Sequence, residues 1–219
     1  MTQTSTQRAA DEMRRMIFSG VLSAGSDHLE TELAALFGMS RTPVREAALI
    51  LEAQGLVEVR PRRGVRILPV SADDMAEIYD VLTELESHAA GQAAVAGYGA
   101  DGLRDLEAAI DAMDAALARE DREEWGDADE RFHGELVRLG GNSRIVAIAA
   151  MMSDQVRRAR AMTLYLRPLP VDSNEDHRAV LEAIRAGDGK RAARLHRDHR
   201  TRAKAMMVAL LRDHRLHRL

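Results

Sequence analysis

The chain of 219 residues contains no cysteine. That excludes disulfides, Cys-ligated zinc and Cys nucleophiles, and it suits a reducing compartment. Aromatic residues make up only 3% of the chain, a thin supply for a sugar-stacking site or a base-stacking RNA binder. Lysine is nearly missing as well: of 31 basic residues only Lys190 and Lys204 are Lys. With the remainder all Arg, a bare count of cations says little about phosphate binding, and their local distribution says more. The longest uninterrupted apolar run, Ile145 to Met152, falls far short of the roughly 20 residues of a spanning helix. The opening stretch MTQTSTQRAADEMRR has no apolar core of a secretory signal. These absences predict a cytoplasmic protein with no membrane partner.

What is present is a globular composition: 46% hydrophobic, 30% charged, and a formal net charge of −4. The pattern changes near Pro69–Ser71. Residues 1–70 and 71–219 are therefore expected to form two domains. In the first, helices are expected at Ser5–Phe18, Glu30–Phe37 and Thr42–Gln54. They are followed by two alternating runs, Leu56–Arg60 and Val65–Leu68, around a Gly-containing turn, which predicts a hairpin. In the second, every segment has the 3.6-residue period of an amphipathic helix. Six helices are expected, at 73–95, 102–120, 122–139, 143–160, 174–186 and 188–216, the first with Ser71 as N-cap. The predicted fold class is mainly α: a winged helix-turn-helix followed by an all-α bundle.

Leu33, Ala34 and Phe37 fall on one face of the second helix, opposite Val44, Ala47, Ala48 and Leu51 of the third, with Gly38 at the sharp turn between them. Pro43 suits a first helical turn, where its missing N–H costs nothing. Ser40, Arg41, Thr42 and Arg45 then occupy the end of the helix that enters a major groove, with the positive end of its dipole toward phosphate. From Arg41 to Arg66 there are six Arg against three Glu, a locally basic face in an acidic protein. The plainer alternative is a helical hairpin with a solvated Arg face, but it does not account for the turn, the helix start and the hairpin together.

The stretch LETELAALFGMSRTPVREAALILEAQGLVEVRPRRGVRIL, Leu29–Leu68, closely resembles the winged helix of GntR-type bacterial transcription regulators. IFSGVLSAGSDHL resembles the lead-in to that domain, with Ala24 where Pro is common. The resemblance implies DNA contacts from Ser40, Arg41, Thr42 and Arg45 on the recognition helix, and from Arg63 and Gly64 at the wing. Some members carry a basic residue at the position of Thr31.

In the second half, Asp129 and His133 stand four apart and share a helix face flanked by Phe132 and Leu136. A carboxylate and an imidazole facing a core need partners. With His177 and His199 they offer one oxygen and three nitrogen donors, a set suited to Zn²⁺, Ni²⁺, Mn²⁺ or Fe²⁺. Spacing alone also allows an ordinary Asp–His hydrogen bond and a solvated His/Arg face made of His196, His199, His214 and His217. His28 and His88 read as incidental. The motifs DERFH (129–133), GN (141–142), EDHRAVLEAI (175–184) and GD (187–188) resemble the FCD ligand-binding domain of the FadR branch of GntR regulators, in its six-helix, VanR-like size.

That resemblance implies a divalent ion, Zn or Ni favoured, held by Asp129, His133, His177 and His199, with His196 competing for the last place. It also implies a small carboxylate or sugar-acid effector beside the ion, a homodimer, and a pseudo-palindromic double-stranded operator. Many members have Arg where this chain has Leu82, which leaves Arg157, Arg158 and Arg160 as substitutes for holding an anionic effector. The implied function is a DNA-binding regulator, most commonly a repressor. Two readings compete with it: a regulator with a vestigial effector site, and a metal-dependent hydrolase, for which the chain supplies no HExxH motif.

Overall fold

The computed structural model describes residues 3–213. The expected reach of the last helix to Leu216, and His214 and His217, lie outside the described residues. The chain divides into two compact units, residues 3–71 with 211–213, and residues 72–210.

The first unit contains α1 (Ser5–Phe18), β1 (Asp27–His28), α2 (Glu30–Phe37), α3 (Arg41–Ala53), β2 (Val57–Arg60) and β3 (Gly64–Ile67). Thr4 caps α1 by accepting from the Gln7 N–H. The Glu32 carboxylate reaches back to the Leu29 N–H at the start of α2. Gly38 ends α2 at φ 63°, a left-handed conformation that glycine adopts without strain. The core joins Met13 and Ile17 of α1, Leu33 and Ala34 of α2, Val44, Ala47, Ala48 and Leu51 of α3, and Val57, Val65 and Ile67 of the sheet. The hairpin is present, and a third strand that the sequence reading missed joins it. The sheet order is β1-β3-β2, all antiparallel, with Asp27 opposite Arg66 and Arg60 opposite Gly64. Two residues are too short a run to carry an alternating pattern, so β1 had no signal of its own.

The second unit holds α4 (Ala72–Ala96), α5 (Ala100–Ala118), α6 (Arg122–Leu139), α7 (Ser143–Thr163), α8 (Val171–Arg185) and most of α9 (Gly189–Asp213). Ends differ from expectation by up to three residues; α7 runs on to Thr163 and α8 begins at Val171. Asp121 caps α6 on the Glu124 N–H, and Asn142 caps α7 on the N–H groups of Arg144 and Ile145. The apolar stripes Trp125–Phe132–Leu136–Leu139 and Val180–Leu181–Ile184 meet Leu103, Leu106, Ile110 and Met113 of α5 in one core. A buried polar chain ties three helices together: the Trp125 indole N–H donates to Asn174 Oδ1 at 2.7 Å, and Asn174 Nδ2 donates to Asp114 at 2.7 Å. Backbones approach closely where glycine leaves room. A Cβ on Gly140 would lie 2.7 Å from Ala89, bringing the end of α6 against α4.

Candidate functional site

In the first unit the chemistry sits at the start of α3. Ser40 occupies the N-cap place, but its hydroxyl accepts no hydrogen bond from the helix, so the first-turn N–H groups have no side-chain cap. Arg41, Thr42 and Arg45 are exposed, while Val44, Ala47 and Ala48 on the opposite face are buried. Glu30 lies 3.5 Å from Arg41 and 3.9 Å from Arg45, loose pairs that hold the guanidiniums near one another without burying them. The wing turn is Pro61-Arg62-Arg63, all exposed, with Arg62 at φ 65°. Gly64 is the first residue of β3 rather than the tip. At φ 88°, a Cβ there would stand 2.2 Å from the His28 carbonyl oxygen. Its role is to let β3 close onto β1.

In the second unit the four expected ligands converge. Asp129 and His133 come from α6, His177 from α8 and His199 from α9, all buried, with donor atoms within 4.8 Å of one another. Asp129 Oδ1 is 3.6 Å from His133 Nε2 and 3.5 Å from His177 Nε2. Those separations exceed a good hydrogen bond. They suit donors that share one ion at bond lengths of about 2.0–2.2 Å.

Carboxylates behind the rings fix their direction. His133 Nδ1 meets Glu86 at 3.1 Å, and His199 Nδ1 meets Asp176 at 3.1 Å, so each turns its Nε2 toward the cluster. Both ring nitrogens of His177 are buried without a hydrogen-bond partner, a state that costs free energy unless something else satisfies them. The donor set and its orientation fit a divalent ion, which would act there as a Lewis acid toward a carboxylate oxygen.

The protonation directions divide the imidazoles: burial lowers His133, but Asp129 and Glu86 outweigh it and raise the ring above its usual value, whereas His177 and His199 move the other way. Burial pushes His177 well below the usual imidazole range, with His199 adding to the effect, and burial lowers His199 despite Asp176. Both shifts favour the neutral imidazole, the form that a metal ion would need. Asp129 is held well below the usual carboxylate range: burial opposes this, and Arg160, His133 and His177 outweigh it. Arg160 pairs directly with Asp129 Oδ2.

His196 takes no place in the four-donor group. It is fully buried, its Nδ1 is 3.2 Å from Ser87 Oγ, its Nε2 is 3.4 Å from Glu86, and burial pushes it down to about 3. The alternative of a solvated His/Arg face is thus overturned for His196 and His199, both buried on α9. Sequence reasoning missed Glu86, Asp176 and Arg200. Arg200 is buried, donates from Nη2 to Glu86 at 2.6 Å, and lies over the Tyr79 ring at 5.1 Å. Glu86 and Arg200 are 114 residues apart, so no local pattern links them. Of the suggested substitutes for the Arg lacking at Leu82, Arg160 does reach the site. Arg157 stays half-exposed, 3.8 Å from Glu130.

A winged helix whose recognition end carries exposed Arg, together with a helical unit enclosing a ligand-ready His/Asp cluster, defines a DNA-binding transcription regulator. Residues 5–67 match the bacterial regulatory proteins of the gntR family, and residues 77–202 match the FCD domain. The chain belongs to the GntR family of transcriptional regulators with a C-terminal FCD domain. It is 42% identical over 127 residues to an uncharacterised HTH-type transcriptional regulator in the TAR-I ttuE-ttuC' intergenic region of Agrobacterium vitis, an alignment covering 57% of this chain and 74% of the other. It is 31% identical to a probable D-xylose utilization operon transcriptional repressor of Paenarthrobacter nicotinovorans, covering 84% and 80%. The fold is that of E. coli McbR/YncC, with TM-score 0.79 at 19% identity over 95% of this chain and 99% of that one. A GntR-family regulator from Pseudomonas syringae pv. tomato superposes at TM-score 0.57 and 25% identity, covering 98% and 89%. Among the described residues no helix is long and apolar enough to cross a membrane.

Proposed function

We propose that this regulator is a cytoplasmic homodimeric repressor whose operator affinity is set by a small carboxylate bound beside a divalent ion. The observation that carries the proposal is the buried group Asp129, His133, His177 and His199, with two of its imidazoles oriented by Glu86 and Asp176. Ser40, Arg41, Thr42 and Arg45 read a major groove, where Arg pairs with guanine and hydroxyls hold phosphate. Arg63 at the wing contacts the backbone, and Gly64 supports it. A two-fold dimer calls for a pseudo-palindromic operator. Repression is supported by the relatives, which include the D-xylose operon repressor and a gluconate operon transcriptional repressor of Bacillus subtilis that is 32% identical over 142 residues. Control requires only that the effector bind one state of the dimer more tightly than the other.

Native mass spectrometry of the untagged protein tests the assembly. A dimer with one divalent ion per subunit is expected, and the ion should be lost in His177→Ala. A protein that stays metal-free after incubation with zinc and with nickel would refute metal control. DNA selected from a random pool tests the interface: Arg45→Ala should lose specific binding while keeping the dimer and the ion. Unchanged affinity would overturn the assignment of α3 as reading helix.

A further inference from the structure

Two cavities within the helical unit reach the buried cluster. The smaller, about 290 Å³, touches Asp129 and His199 and is walled by Trp125, Tyr79 and the 167–170 loop. The larger, about 460 Å³, lies between α4, α6 and α7 and reaches His133, Glu86 and Arg200. Its size falls in the range of small-molecule sites.

Its inner end is built for an anion. Arg200 lines it and is nearly fully buried, yet its Nε and Nη1 have no hydrogen-bond partner. The Nε of Arg167, which also lines the cavity, is buried and unpartnered too. Guanidiniums of Arg160, Arg167 and Arg200 outnumber the carboxylates of Glu86 and Asp129 around this end. Donors left in this state favour an incoming acceptor.

The walls are of another kind. Leu82, Val137, Val146, Ala149, Val156 and Leu164 present hydrocarbon. Ser153 is the single hydroxyl among the lining residues, and no amide side chain lines the cavity. A polyol there would leave its hydroxyls unpaired against carbon, which a binding site discriminates against strongly. The partly exposed rim carries three carboxylates, Glu123, Asp127 and Glu130, against the two guanidiniums of Arg122 and Arg157. Arg122 is engaged by the loop carbonyls of Arg167 and Pro168 and Arg157 faces Glu130, so a second carboxylate at that outer end would meet an excess of negative charge.

We infer that the effector is a monocarboxylate with an apolar body, its head on Arg200 and its hydrocarbon along the α6–α7 wall, rather than a sugar acid or a dicarboxylate. This rests on the reading of the cavity as the effector site and narrows the ligand class. Each buried methylene should tighten binding about fourfold.

Isothermal titration of the zinc-loaded full-length dimer with butanoate, hexanoate, octanoate, succinate and gluconate tests it, paired with binding to the selected DNA. Affinity should rise more than tenfold from butanoate to octanoate, and octanoate should exceed succinate and gluconate by at least tenfold. Arg200→Gln should abolish octanoate binding. Because loss of Arg200 also breaks its pair with Glu86, Ala149→Phe provides a second check: filling the wall should weaken octanoate tenfold or more with metal content unchanged. Succinate or gluconate binding more tightly than octanoate would overturn the ligand class and leave the effector site standing. Failure of all five acids to bind would overturn both. Octanoate binding as expected without any change in DNA affinity would support the class and refute its regulatory role.

Discussion

His199 owes its role to a neighbour on another helix. Its ring would be free to turn on α9 without Asp176, which accepts from its Nδ1 and is itself clamped by Arg202 at 2.6 Å. The same logic joins His133 to Glu86. Asp176→Asn keeps the shape but removes the charge behind the imidazole. Chelator competition should show zinc affinity falling about 10- to 100-fold in this variant, with the fold intact by circular dichroism. Affinity equal to the parent would mean that the His199 ring is fixed by packing alone. At the DNA end, Arg41→Ala should weaken operator binding by about 1–3 kcal/mol if the guanidinium reads a base. An exposed Arg63 that meets phosphate would behave differently. Arg63→Ala should reduce affinity evenly across sequences and make the salt dependence shallower by about one unit of slope.

Elements meet where side chains are small. The wing closes because Gly64 lets β3 pass against the His28–Leu29 backbone, and its φ of 88° is one that other residues adopt only under strain. Gly64→Ala is expected to cost about 1–3 kcal/mol from backbone strain, with the clash against His28 added. Thermal unfolding followed by circular dichroism should show a midpoint several degrees lower, together with weaker DNA binding. A parent-like midpoint would show that the sheet relaxes around the added carbon. In the helical unit, Arg122 plays a comparable joining part. Its Nη1 donates to the carbonyl oxygens of Arg167 at 2.8 Å and Pro168 at 3.3 Å, which fastens the loop after α7 to the start of α6. That loop carries Arg167 to the inner end of the larger cavity.

At the scale of the whole molecule, the proposed ion would couple metal binding to stability. An ion that binds only the folded state adds about 2.7 kcal/mol to the unfolding free energy at a hundredfold excess over its dissociation constant. Treatment with a chelator should lower the unfolding midpoint of the full chain, and zinc or nickel should restore it. His133→Ala should be insensitive to both. A midpoint that ignores the chelator in the parent protein would argue against a resident ion.

The sequence alone determined a great deal. The helical periods, the turn at Gly38, the Pro43 helix start and the hairpin follow from local rules, because each is written within a few neighbouring residues. Asp129 and His133 were legible as a pair because four residues make about one turn. His177 and His199 could be offered as donors from residue type, but only resemblance to a known domain set them beside that pair, since spacing cannot say which helices face each other. Folding alone decided the rest. It set His199 rather than His196 in the four-donor group, because Ser87 and Glu86 engage the His196 ring while Asp176 turns that of His199. It paired Glu86 with Arg200 across 114 residues, added the two-residue strand that carries no pattern, and gave the cavity an apolar wall facing buried guanidiniums. Those are contacts between distant segments, and only the packing of the helices brings them together.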